Sequence, residues 1–141
     1  MNIELIAIDL DGTLVNDGEI DTEDKKAVNR VIDEGIPMIP ATTRLRASTI
    51  DLIDGLPMTG YPIICNNGAR VLGPGWHDES KIDEWRCTNL DLDLAKTVSR
   101  YADEKGYELS TVFRERVYWK RREKQKVGKH PEIEIGRMVE N

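Results

Sequence analysis

Cysteine and histidine are scarce in this chain, and neither is placed for chemistry. Cys65 and Cys87 lack the close spacing of a metal-binding pair, and His77 and His130 stand alone, which sets aside thiolate or imidazole metal sites and a histidine base. No apolar run approaches the roughly 20 residues of a membrane-spanning helix, so no membrane partner is expected. The first residues, Met1-Asn2-Ile3-Glu4, carry neither the basic region nor the apolar stretch of a secretory leader. Together with the lack of a cysteine framework, this gives the expectation of a reduced, cytoplasmic protein. A basic excess is also missing: 20 Lys and Arg face 26 Asp and Glu, for a net charge of -6. That balance argues against a nucleic-acid partner. One basic cluster, Lys120, Arg121, Arg122, Lys124, Lys126 and Lys129, reads as a solvated face. Aromatic residues are few, and Trp76, Trp85 and Trp119 are expected to complete a core.

What is present is an alternation of strand and helix patterns. Residues 3–8 form a short apolar, β-rich run, and 21–34 carry Ala27, Val28, Val31 and Ile32 at helical spacing, with Asp21 or Thr22 as cap and Gly35 beyond the end. A second strand over 36–41, a helix over 45–54 and a third strand over 61–65 complete a β-α-β-α-β order. Right-handed crossovers make this a parallel, doubly wound sheet of three adjacent strands. From residue 70 the pattern changes to a strand over 82–88, a helix over 91–105 closed by Gly106, and a hairpin over 107–120. This part reads as α+β with mostly antiparallel pairing. With 141 residues there is material for one domain, or for parts of two, divided as 1–69 and 70–141.

The chemistry is concentrated in Asp9-Leu10-Asp11-Gly12-Thr13-Leu14, directly after the first strand. Alternation along an extended strand sends Asp9 and Asp11 to one face while Leu10 anchors on the other. Open α/β sheets place their ligands beyond such strand ends. Two carboxylates this close call for a cation, and Mg2+ favours one or two carboxylates with phosphate oxygens and water. Gly12 lets the backbone turn tightly beside an anion. A solvated Asp-Gly turn is the plain alternative. A calcium loop is excluded, because its sixth and twelfth positions fall on Leu14 and Ile20. Thr42-Thr43-Arg44 follows the second strand and opens a helix, where it is either an anion cradle or an ordinary threonine cap. Asn66-Asn67-Gly68-Ala69 follows the third strand, and a type I′ turn accounts for Asn67-Gly68 locally.

These motifs resemble the haloacid dehalogenase superfamily, in its Cof-like subfamily, over residues 1 to about 123. The resemblance implies a Rossmann-like core with a cap domain, and a Mg2+-dependent phosphatase acting on a small phosphorylated substrate through an aspartyl phosphate. Asp9 would be nucleophile and metal ligand, and Asp11 general acid and base, offering its backbone carbonyl as the second metal ligand. Gly12, Thr42 and Thr43 would surround the phosphate, with Thr43 standing where close relatives usually have glycine. Asn67 and Gly68 would border the substrate. Two further signatures of the family lie downstream, a lysine and a Gly-Asp-x-x-x-Asp loop; no Gly-Asp-x-x-x-Asp sequence occurs here, and nothing in the spacing supports Lys124, Lys126 or Lys129 with Glu132 or Glu134 in their place. A catalytically incomplete relative, serving as a binding or interaction module, is therefore the rival expectation. The first strand would also keep an unpaired edge, which implies a homo-oligomer or a missing C-terminal segment.

Overall fold

The computed structural model describes residues 3–113 and 115–120. Its elements run β1 (Ile6–Ile8), α1 (Thr22–Asp33), β2 (Met38–Pro40), α2 (Arg46–Ile50), β3 (Ile63–Cys65), β4 (Arg70–Leu72), β5 (Glu84–Cys87), α3 (Leu92–Lys105), β6 (Leu109–Phe113) and β7 (Arg116–Lys120). The basic cluster beyond Lys120, together with His130, lies outside the described residues. Among the described residues, no helix is long and apolar enough to cross a membrane.

Two compact units are present, Met1–Thr88 and Asn89–Asn141. In the first, β1 and β2 pair in parallel with Ile6 opposite Met38 and Ile8 opposite Pro40. The Thr42 N–H donates to the Ile64 carbonyl at 2.9 Å beside a parallel bridge between Ala41 and Ile64, which sets β3 on the other side of β2. The chain has the α/β architecture expected of it. Asp21 caps α1 by accepting from the Glu23 and Asp24 N–H groups at 2.8 and 2.9 Å, and Gly35 leaves the helix with a φ of 83°.

α2 is shorter than the 45–54 span expected for it. Leu45 offers no side-chain cap, and the hydroxyls of Ser48 and Thr49 both turn back onto the Leu45 carbonyl at 3.0 Å. Such back-bonding weakens a helix with little else to hold it. A change of style falls near residue 70. It marks a switch from parallel to antiparallel pairing, and the break between the compact units comes at 88/89. β4 folds back on β3, β5 pairs with β4, and Thr88 N–H donates to the Ala69 carbonyl at 2.8 Å.

The core of this unit gathers Leu10, Leu14, Val15, Ile20, Val28, Met38, Ile53, Leu56, Met58, Ile63, Cys65, Leu72 and Trp76. Trp76 is fully buried, as expected, and its Nε1–H donates to the Tyr61 carbonyl at 3.0 Å. Trp85 departs from expectation. It lies exposed on β5, with its Nε1–H on Asp83 Oδ2 at 2.8 Å and its ring over Gly73, where an added Cβ would meet Nε1 at 2.7 Å. The side chain of Trp119 is outside those described. Ile6 and Ile8 pack against the core, whereas Ile3, Leu5 and Ala7 are exposed, and among the described residues β1 pairs with β2 alone.

In the second unit, Asp91 caps α3 through the Asp93 and Leu94 N–H groups at 3.1 and 3.0 Å, and Gly106 ends it with a φ of 69°. β6 and β7 form an antiparallel hairpin from Leu109 opposite Lys120 to Phe113 opposite Arg116.

Candidate active site

The site is built from three loops that leave the ends of β1, β2 and β3. After β1, the alternation continues as exposed Asp9, fully buried Leu10 and exposed Asp11. Leu10 fixes the turn from within: its carbonyl accepts from the N–H groups of Thr13 at 3.1 Å and Val15 at 2.7 Å, while Gly12 N–H donates to the Val15 carbonyl at 2.9 Å. Gly12 takes a φ of 79° with open space where a Cβ would stand, so glycine is needed for backbone conformation and not for close approach. The chain then reverses through Asp17 and Gly18, with φ of 52° and 84°, between the paired Asn16 and Glu19. Both central residues have positive φ, as a tight hairpin turn requires.

Thr42, at the end of β2, is buried. Its N–H is engaged by Ile64, and its Oγ1 accepts from the Arg44 N–H at 3.1 Å. A hydroxyl that accepts in this way still has its own proton to donate. Thr43 is exposed next to it. The threonine is thus a local cap whose remaining hydrogen-bonding capacity is available to an anion.

Arg44 joins all three loops. Its Nε donates to Asp11 Oδ2 at 2.8 Å and to Oδ1 at 3.1 Å, its Nη2 donates to Oδ1 at 2.7 Å, and its own carbonyl accepts from the Asn66 N–H at 2.8 Å. The hydrogen bonds from Arg44 hold the Asp11 carboxyl below its usual range, against a smaller opposing effect of burial. Arg44 carried no expected role. Its place after Thr42-Thr43 was the only signal available, since its partner lies 33 residues away.

After β3, Asn67 and Gly68 have φ of 54° and 81°, and Ala69 N–H donates to the Asn66 carbonyl at 3.0 Å. That is the type I′ turn between β3 and β4, and it accounts for both residues structurally. Asn66 shares the left-handed conformation, and its buried Oδ1 has no hydrogen-bond partner among the described residues.

Among the described residues, no group of three or more His, Cys, Asp and Glu side chains is placed to hold a metal. The oxygen donors of Asp9 and Asp11 nevertheless fit the small share of ligands that Mg2+ takes from protein, with the remainder coming from water and phosphate.

The sequence profile for haloacid dehalogenase-like hydrolases matches residues 6–138. The chain belongs to this family. Among its curated relatives in Bacillus subtilis strain 168 are two 5-amino-6-(5-phospho-D-ribitylamino)uracil phosphatases. YcsE is 30% identical over 92 residues, covering 64% of this chain and 35% of YcsE. YwtE is 33% identical over 100 residues, covering 70% and 32%. BT1666 of Bacteroides thetaiotaomicron, described among phosphatases of the superfamily, superposes with a TM-score of 0.71 at 22% identity, over 84% of this chain and 42% of BT1666. This haloacid dehalogenase-like chain therefore spans about a third of the length of those curated relatives and shares the fold of the solved one.

Proposed function

We propose that this chain carries the nucleophile half of a Mg2+-dependent phosphatase acting on a small phosphomonoester. The observation that supports the reading best is the convergence of three strand-end loops on Asp11, through Arg44, beside the exposed Asp9. The phosphatase names of YcsE and YwtE favour the same substrate class, a phosphorylated metabolite with a polyol or sugar-like chain.

In this reading an Asp9 carboxylate oxygen attacks phosphorus and the bond from phosphorus to the leaving oxygen breaks, while Asp11, which takes up a proton from solvent once its carboxyl is released from Arg44, supplies that proton to the leaving oxygen. Water then attacks the aspartyl phosphate while Asp11 takes up the water proton, which releases inorganic phosphate and restores Asp9. Thr42 donates its hydroxyl proton to a phosphoryl oxygen, and Thr43 and Gly12 border the same anion. The Asp9 carboxylate and the Asp11 backbone carbonyl would hold Mg2+, whose charge would stabilise the phosphoryl oxygens. Asn67 and Gly68 border the substrate through the β3–β4 turn.

The test is phosphate release from p-nitrophenyl phosphate with added Mg2+, compared between the wild type and Asp9→Asn. The expected result is loss of essentially all Mg2+-dependent turnover in the variant, and equal rates would sink the phosphatase reading.

A further inference from the structure

Arg44 is held at its backbone and engaged at its tip. Its N–H donates to Thr42 Oγ1 and its carbonyl accepts from the Asn66 N–H, which anchors the backbone on both sides of the side chain. The guanidinium presents its Nε and Nη2 edge to both oxygens of Asp11, and the arginine side chain is 24% exposed against 47% for the aspartate. The Nε and Nη2 edge is a two-donor fork that fits a carboxylate and a phosphoryl group alike. Both ligands cannot occupy that edge at once. A phosphoryl dianion carries more charge than a carboxylate, and the attraction scales with charge. The loop next to the fork also holds the Thr42 hydroxyl, which accepts from the Arg44 N–H and keeps its own proton to donate.

We propose that Arg44 is the anion receptor of this site and that Asp11 occupies it in the ligand-free protein, so that an incoming phosphoryl dianion displaces the carboxylate. The internal ion pair is then an autoinhibitory contact, and its opening frees Asp11 to face the leaving group only when a phosphate is in place. This rests on the phosphatase reading for its consequence in turnover, but the competition itself is a matter of binding.

The experiment uses the full chain in metal-free buffer at constant ionic strength, titrated with inorganic phosphate and followed by the Arg44 Nε–H and Thr43 backbone N–H resonances. In the wild type both signals should move saturably, and sulfate, also a dianion, should produce the same shift. Asp11→Asn should bind phosphate roughly two- to fivefold more tightly, the range that a part-exposed ion pair supports. In an Arg44→Gln background the Asp11→Asn gain should vanish. An Arg44 signal unmoved by phosphate would overturn the proposal, and it needs no variant to be measured. A gain from Asp11→Asn that persists undiminished in Arg44→Gln would also overturn it, by showing simple relief of charge repulsion. Neither outcome depends on p-nitrophenyl phosphate hydrolysis, so the competition and the phosphatase reading fail separately.

Discussion

At the scale of residues, the Arg44–Asp11 pair ties stability to pH in a definite direction. A carboxyl held below its ordinary value of 3.8 by Arg44 binds its proton more readily in the unfolded chain. The pair's contribution is therefore complete above that ordinary value and is lost as pH falls through the lowered folded value. Because Asp11 is half exposed, the contribution is modest, about 0.2–1 kcal/mol. Urea unfolding of the wild type and Arg44→Gln should differ by that amount at pH 7 and converge as pH falls below 3.8. A difference that stays constant over this range would assign the effect to packing of the arginine stem instead. Gly12 supports a second prediction. Its φ of 79° strains any side chain although there is space for one, so Gly12→Ala should cost about 1 kcal/mol in the same assay. A neutral substitution would show that the turn relaxes.

At the scale of elements, Trp76 and Trp85 show what local pattern can and cannot convey. Trp76 and Trp85 look alike in sequence, yet the first is sealed beneath the Tyr61 carbonyl and the second lies on an open strand. Trp76→Phe leaves that carbonyl without its donor and should cost about 1–3 kcal/mol, whereas Trp85→Phe should stay within about 0.5 kcal/mol. Similar costs for the two variants in thermal unfolding would contradict the assigned burial. The elements that were legible in advance, α1 and α3, are those whose caps and stops are local: Asp21 and Gly35, Asp91 and Gly106. α2 was overextended because hydroxyl back-bonding from Ser48 and Thr49 competes with helix continuation and leaves no periodic mark. The Asn67-Gly68 turn was legible as a turn, but its flanking partners were not, since strand pairing is decided by tertiary contact. For the same reason the hexapeptide around Asp9 pointed to phosphoryl chemistry while the Arg44 contact stayed hidden.

At the scale of the whole molecule, the exposed side of β1 carries a prediction about association. Ile6 N–H and the Ile8 carbonyl are directed to β2, so the backbone groups of Ala7 between them face the opposite edge. Ile3 and Leu5 flank that edge with 59% and 51% of their surfaces exposed. An open edge combined with apolar side chains is a template for strand addition, and among the described residues none is paired there. Burying two such side chains contributes roughly 1.5–3 kcal/mol each, before the entropic cost of association. The expected outcome is concentration-dependent association, with light scattering giving a mass above the 16.0 kDa of one chain. Leu5→Lys places a charge beside the edge and should return the mass to that of a single chain without loss of helical circular dichroism. A wild type that stays monomeric at high concentration would mean that the edge is already satisfied within the chain, and Leu5→Lys would then lower thermal stability instead of changing mass.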